Sequence, residues 1–157
     1  MRRILMAMVY NKSGVLSRIT SILNRRQVNI DSISVGAVES ELSRMTIVIN
    51  ADSLSEIEQV TKQLNKQIEV VKVSDITEDP HIERELALIK VSAPPVTRSE
   101  IQAVIAPFRA DIVDVAQKTI VVQVVGTHDK VDAFIDVLRP YGIKQLARTG
   151  VTGLKRG

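Results

Sequence analysis

Apolar residues recur at the i, i+3/i+4, i+7 spacing of an amphipathic helix in four segments of the chain. The four apolar stripes are Val15, Leu16, Ile19, Ile22 and Leu23; Leu54, Ile57, Val60, Leu64 and Ile68; Ile101, Val104, Ile105 and Phe108; and Val131, Phe134, Ile135 and Leu138. Capping boxes at 53–56 (SLSE) and 97–100 (TRSE) mark two helix starts, and Thr127 can cap the fourth helix. The pattern therefore predicts four helices.

Short runs rich in β-branched residues separate these helices and are typical of strands. The predicted strands cover residues 3–10, 28–35, 43–50, 68–76, 85–93, 110–116, 118–126 and 143–149. The resulting order is β-α-β-β-α-β, found twice along the chain.

The two halves also match as a structural repeat. The strand at Val28 corresponds to the strand at Ala110, 82 positions later, and the second helix corresponds to the fourth, about 76 positions later. We therefore predict an α+β protein of two tandem ferredoxin-like βαββαβ units, residues 1–77 and 78–157. The acidic, Pro80-containing segment 77–81 (TEDPH) is the predicted linker.

Composition limits the class of protein. The chain has 157 residues, of which 45% are hydrophobic, 25% are charged and 3% are aromatic, and its formal net charge is +3. There is no cysteine, which excludes disulfides and fits a cytoplasmic location. The start, MRRILMAMVY, is read as a strand and not as a signal peptide, and no run is long and apolar enough for a membrane span.

Candidate catalytic groups are scarce. His81 and His128 are the only histidines; we expect His81 to be an exposed residue of the linker and His128 an exposed residue in the first turn of the fourth helix. No metalloprotease, Ser-His-Asp, P-loop or GxGxxG pattern occurs. Acidic clusters at 39–41, 76–80 and 81–85 and the scattered arginines are explained by solvated faces, turns and ion pairs. The sequence argues against an enzyme.

The start of the first helix differs from the other three. Residues 13–19 (SGVLSRI) carry no carboxylate, whereas acidic residues lie at or near the start of every other helix. The backbone N–H groups there would suit an external carboxylate or phosphate, and Gly14 would allow a close approach. A simpler interpretation is that Ser13 caps the helix and Gly14 permits the turn.

The chemistry around this helix start suggests a ligand. Asn11 and Asn29 carry amides that could accept hydrogen bonds from an ammonium group, and Val15, Leu16 and Ile30 offer apolar surface. Donors for a carboxylate, acceptors for an ammonium and an aliphatic surface together describe a small apolar amino acid. Asn29 could belong to a second subunit.

Residues 11–36 (NKSGVLSRITSILNRRQVNIDSISVG) resemble the ACT regulatory domain, whose mark is a strand, an Asn-x-x-Gly-x-Leu loop and a helix. The whole chain resembles the small regulatory subunits of acetohydroxyacid synthase, also called acetolactate synthase. Further stretches that carry this resemblance are LSRMTIVI (42–49), KQLNKQIEVVKVSDIT (62–77), IERELALIKV (82–91), FRADIVDV (108–115), DAFIDVLRPYGIKQLARTG (132–150) and LKRG (154–157).

The resemblance implies a non-catalytic subunit of branched-chain amino acid biosynthesis. Such a subunit activates the catalytic large subunit and confers feedback inhibition by valine. It implies residues 1–77 as the ACT domain, pairing in a homodimer or higher oligomer, with the effector at the interface. The matched site comprises Asn11, Gly14, Val15 and Leu16 of one subunit with Asn29 and Ile30 of the other. No cofactor is expected in this subunit; thiamine diphosphate, Mg and FAD are expected in the catalytic partner.

The chain departs from the family pattern in two places. Many members have Glu-Asn-Lys-Pro-Gly where this chain has YNKSG, so Tyr10 and Ser13 differ, and the hairpin at 36–45 is shorter than in many members. If that hairpin touches the catalytic subunit, partner specificity is affected.

Three other functions are alternatives to this one. An effector-insensitive activating subunit would share the fold and the partner. A nucleic-acid-binding ferredoxin-like protein would be expected to carry stacking aromatics on its strands, and the two Tyr and two Phe residues form no such platform. We therefore expect neither nucleic-acid nor membrane binding, and the absent catalytic groupings weaken a small-molecule enzyme.

Overall fold

The computed structural model describes all residues 1–157, and the chain divides into two compact units. The first unit comprises Met1–Ile82 and Gly150–Gly157, and the second comprises Glu83–Thr149. The elements are β1 (Arg2–Tyr10), α1 (Val15–Arg25), β2 (Asn29–Ala37), β3 (Leu42–Asn50), α2 (Leu54–Asn65), β4 (Val70–Asp75), β5 (His81–Ser92), α3 (Arg98–Ile105), β6 (Asp111–Val115), β7 (Thr119–Gly126), α4 (His128–Leu138), β8 (Ile143–Arg148) and β9 (Thr152–Lys155). Every helix falls short of the length and hydrophobicity that a membrane-spanning helix needs.

The first unit is an antiparallel sheet in the order β2-β3-β1-β4 with α1 and α2 packed on one face. Alternate residues of the central strands point into the core, as the period-2 pattern of a half-covered sheet requires. The core side chains include Leu5, Ala7 and Val9 of β1; Met45, Ile47 and Ile49 of β3; and Ile19, Leu23, Val60 and Leu64 of the helices. This is the predicted ferredoxin-like arrangement.

The second unit repeats this topology, with the sheet order β6-β7-β5-β8 and helices α3 and α4. Its core contains Ala87, Ile89 and Val91 of β5; Ile120, Val122 and Val124 of β7; and Ile101, Ile105, Val131, Phe134 and Leu138 of the helices. The predicted α+β class, the four helices and the duplicated order of elements are confirmed.

The C-terminal residues differ from the prediction. Residues 150–157, which the sequence placed with 78–149, form β9 and pack in the first unit. Val151 is 1% exposed in a small cluster with Ile4, Val48 and Ile76 on the sheet face opposite the helices. The Gly153 N–H donates to Thr46 Oγ1 at 3.2 Å. β9 has only four residues, of which Gly153 alone is buried, and Val151 precedes it. So short a segment shows no periodic pattern, and the sequence therefore did not reveal this strand.

Four local predictions can be compared with the structure. The Ser53 side chain accepts from the Glu56 N–H, and Thr127 accepts from the Lys130 N–H, so both caps are confirmed. The capping box at 97–100 is wrong, because a 3₁₀ turn (Pro95–Thr97) precedes α3 and the Thr97 hydroxyl donates to the Pro94 carbonyl instead. Ile68 is 89% exposed beyond the end of α2 and is not part of its buried stripe.

Candidate functional site

The start of α1 is open, as the sequence indicated. Gly14 occupies the N-cap position with φ 85°, a left-handed conformation that glycine adopts without a steric penalty. No side chain caps the helix, and its first turn has no acidic residue. The simpler interpretation is therefore wrong about a Ser13 cap, whereas its second part, that Gly14 permits the turn, is confirmed by the left-handed conformation of Gly14. The first-turn N–H groups have no side-chain acceptor; that of Val15 lies 3.4 Å from the Lys12 carbonyl.

Asn11 begins the loop between β1 and α1. Its Oδ1 accepts a hydrogen bond from the hydroxyl of Ser43, and its Nδ2 lies 3.5 Å from the Ser40 carbonyl. Because a carbonyl oxygen has two lone pairs, Oδ1 can still accept from a second donor. Ser43 therefore orients the Asn11 amide, a role that no sequence pattern indicated.

The predicted apolar residues of the site have different environments. Val15 is 5% exposed and packs in the core of the first unit, so its side chain offers no surface to a ligand. Leu16 is 49% exposed and Ile30 is 36% exposed. Leu16 and Ile30 are thus the predicted residues whose side chains can still contact an aliphatic group.

A salt bridge borders the helix start. Arg18, one turn into α1, pairs with Glu69 at 2.6 Å between its guanidinium and the carboxylate. The guanidinium also lies beside Gly14, 3.5 Å from the position that a Cβ would occupy. Arg18 belongs to the acid-free segment 13–19, whereas Glu69 lies 51 residues further along the chain, where no sequence pattern linked it to this helix start.

Within one chain, Asn29 and Ile30 lie far from Asn11 and Gly14. Asn29 is paired with Asn50, whereas Tyr10, just before Asn11, is paired with Leu42 at the other end of β3. Eight residues separate these positions of β3, about 26 Å at the usual rise of a strand. The chain therefore brings Asn11, Gly14 and Leu16 together but holds Asn29 and Ile30 at the opposite end of the sheet.

The two histidines do not form a second site. His81 is the first residue of β5 and not a linker residue, with its Nδ1 2.8 Å from the Asp79 carbonyl. His128 begins α4, as predicted, but it is not a simply exposed residue: its Nε2 is 3.1 Å from Asp132 and its Nδ1 is 3.4 Å from Glu85. No three His, Cys, Asp or Glu side chains are grouped as metal ligands.

Comparison with known proteins covers both units. The family described as "AHAS small subunit-like ACT domain" matches residues 5–72, and the family described as "Small subunit of acetolactate synthase" matches residues 84–157. The acetolactate synthase small subunit of Bacillus subtilis is 52% identical, over 100% of this chain and 92% of that protein. The one of Lactococcus lactis is 51% identical, over 100% of both.

A solved structure agrees with these similarities. The acetolactate synthase small subunit of Thermotoga maritima superposes with a TM-score of 0.89 at 35% identity, covering 100% of this chain and 98% of that one. The fold, the open start of α1 and the full-length similarity together lead to one conclusion. The chain belongs to the family of acetolactate synthase small subunits, and its N-terminal region is an ACT domain of the kind found in them.

Proposed function

We propose that this chain is a non-catalytic regulatory subunit that activates the catalytic large subunit of acetolactate synthase and makes it sensitive to feedback inhibition by valine. The effector would bind between the ACT domains of two copies, at the open start of α1. Thiamine diphosphate, Mg and FAD would be held by the catalytic partner, and both subunits would be cytoplasmic.

The register of the first sheet is the observation that carries this proposal. β2 is an edge strand of nine residues, so it can add a strand from a second copy. If two β2 strands pair antiparallel, Asn29 of one copy lies at the Ala37 end of the other. Ala37 is paired with Ser43, whose hydroxyl donates to Asn11. A second copy would thus supply Asn29 and Ile30 near the end of the sheet where one chain lacks them.

The chemistry of such a composite site fits a branched aliphatic amino acid. The uncapped N–H groups at the start of α1 favour a carboxylate, because the helix dipole places partial positive charge there. The amides of Asn11 and of Asn29 from the second copy would accept from the ammonium group. Leu16 and Ile30, both substantially exposed, would surround the aliphatic side chain.

Regulation follows from a difference in affinity. Valine can inhibit only as far as it binds the inhibited arrangement of the subunits more tightly than the activating one. A tenfold difference in Kd corresponds to about 1.4 kcal/mol of coupling for each site. Several such sites in one oligomer would add their coupling free energies and so give a clear switch between the activating and the inhibited arrangement.

The test compares Gly14→Asp with Gly14→Asn by calorimetric titration with L-valine. Asp and Asn have the same shape, and both tolerate a positive φ better than other side chains, so the pair differs chiefly in charge. We expect Gly14→Asp to bind valine at least about tenfold more weakly than Gly14→Asn, because it puts a carboxylate where that of the ligand would lie. The same proteins, mixed with the catalytic subunit, should show a parallel loss of valine inhibition with activation retained.

Two results would contradict the proposal. Equal valine binding by Gly14→Asp and Gly14→Asn would remove the site from the start of α1. No binding of valine, leucine or isoleucine by the native chain, with activation of the catalytic subunit intact, would leave an effector-insensitive activator.

A further inference from the structure

The Arg18–Glu69 salt bridge occupies the side of the proposed effector site. Arg18 is 46% exposed and Glu69 is 20% exposed, so the pair lies at the surface with its carboxylate partly shielded. The Arg18 guanidinium also donates weakly to the Ser13 carbonyl at 3.5 Å. It therefore lies against both residues, Ser13 and Gly14, that precede the first turn of α1.

Glu69 is held in place by its backbone as well as by its charge. Its carbonyl accepts a hydrogen bond from the Tyr10 N–H at 2.8 Å, just before the loop that contains Asn11. The carboxylate of Glu69 thus reaches Arg18 from a segment anchored to the end of β1. Glu69 therefore supplies the carboxylate that pairs with Arg18 beside the start of α1. The first turn of α1 has no carboxylate of its own.

We propose that Arg18 is a ligand for the carboxylate of the effector and that Glu69 competes with the effector for it. This inference rests on the proposed function, since it concerns the same site. A guanidinium has five N–H donors in a planar fork that matches a carboxylate. Arg18 contacts Glu69 and the Ser13 carbonyl through Nη2 and is 46% exposed, so part of that fork is open to solvent. The carboxylates of the effector and of Glu69 would share the donors of one guanidinium, so binding of the effector weakens the Glu69 contact.

The competition has a regulatory consequence. When the effector takes Arg18, the Glu69 carboxylate is released toward solvent, while its carbonyl stays bonded to Tyr10. The connection between α2 and β4 is then the segment whose contacts change first. Glu69 lowers the affinity for the effector and links its binding to this connection.

The test measures the Kd of L-valine by calorimetry for the full-length native chain, Glu69→Gln, Arg18→Gln and the double variant. We expect Glu69→Gln to bind about fivefold more tightly, the size of an exposed ion pair. Arg18→Gln should bind about tenfold more weakly, and Glu69→Gln should have no effect when Arg18 is already replaced. Arg25→Gln and Glu58→Gln, which alter charge elsewhere on α1 and α2, are the matched controls.

L-Valinamide separates recognition of the carboxylate from general effects on the site. It has the ammonium and side chain of valine but a neutral amide in place of the carboxylate. Its binding, measured at the high concentration that a weaker ligand needs, should not tighten in Glu69→Gln. The melting temperature of each variant shows whether the fold is retained.

The outcomes distinguish this inference from the proposed function. If the native chain binds valine and Glu69→Gln leaves its Kd unchanged or raises it, competition by Glu69 is wrong and the effector site stands. If Arg18→Gln binds valine as well as the native chain does, Arg18 is not a ligand. If the native chain binds no valine, the proposed site and this inference fall together, and the activation assay reports on the remaining function.

Discussion

The two units share one topology but differ at the start of their first helices. In the first unit, Gly14 leaves the start of α1 uncapped and without an acid. In the second, a 3₁₀ turn leads into α3, whose first turn contains Glu100, and Glu100 accepts a hydrogen bond from Tyr141 at 2.9 Å. The Arg98 side chain donates to the carbonyls of Ala93, Ala116 and Gln117. Only the first of the two units has an open start of its first helix, so the shared topology does not require one.

A second comparison concerns a buried ion pair at the same place in both units. In the register of the sheets, Asp75 pairs with Leu5 and Arg148 with Ala87, which are equivalent positions of β4 and β8. Arg3 and Glu85, two residues earlier on β1 and β5, form the salt bridges Arg3–Asp75 at 2.8 Å and Glu85–Arg148 at 2.5 Å. The basic residue lies on the first strand of the first unit (Arg3 of β1) but on the last strand of the second unit (Arg148 of β8), so the polarity of the ion pair is reversed. Equivalent positions of the two units thus hold an ion pair of opposite polarity, so the shared topology accommodates either arrangement.

The pKa values of the two arginines agree with this interpretation. Burial alone lowers the pKa of Arg3, but hydrogen bonds and charge from Asp75 and Glu78 outweigh it, and the net pKa is raised. Burial likewise lowers the pKa of Arg148, but the hydrogen bonds and charges of Asp132 and Glu85 outweigh this effect, and the net pKa is raised. Both guanidinium groups therefore remain charged in the folded protein.

The largest predicted effect tests the ion pair of the second unit. Glu85→Gln keeps the shape but removes the buried charge that Arg148 faces, and we expect a loss of about 3 kcal/mol in the free energy of unfolding. Arg148 is 28% exposed, which places the loss at the low end of the range for buried pairs. Denaturant unfolding measures it.

The matched control is Asp136→Asn. Asp136 pairs with Arg139, and both side chains are well exposed, 72% and 66%. We expect a loss below about 0.5 kcal/mol there. Equal losses for Glu85→Gln and Asp136→Asn would show that burial of the ion pair contributes nothing.

A smaller effect tests the difference between capped and uncapped helices. Ser53→Ala and Thr127→Ala should each lower the free energy of unfolding by about 1 kcal/mol, because each side chain accepts from a first-turn N–H. Ser13→Ala should cost close to nothing, since Ser13 makes no capping bond to α1. A loss for Ser13→Ala as large as that for Ser53→Ala would mean that α1 is capped in solution and closed to a carboxylate.

The smallest effect concerns the carboxylate at the start of α3. The hydrogen bond to Glu100, followed by burial and the charge of Glu100, raises the pKa of Tyr141 above its ordinary value of 10.0. Because the folded pKa is raised, the stabilisation is complete below pH 10.0 and is lost as pH rises through the folded pKa. In a Tyr10→Phe background, where Tyr141 is the single tyrosine, ultraviolet titration should show a pKa above 10.0 that falls in Glu100→Gln. An unchanged pKa in Glu100→Gln would contradict the contact.

The sequence by itself determined the duplicated topology and the unusual start of α1. Four apolar stripes with helical spacing and runs of alternating β-branched residues are local patterns, and a local pattern of burial specifies an element wherever the chain later places it. The absence of carboxylates in residues 13–19 is equally local, because the helix dipole acts only over its first turn. The capping box at 97–100 failed because Pro94 and Pro95 favour a 3₁₀ turn there.

The tertiary structure alone decided what these elements bring together. The register of β3 separates Asn29 from Asn11, so the predicted amino-acid site is divided between the two ends of one sheet. The meeting of Arg18 with Glu69 joins residues far apart in the chain, as does the return of Val151 to the first unit. Such contacts depend on pairing and packing between distant segments, and no periodicity within a segment carries that information.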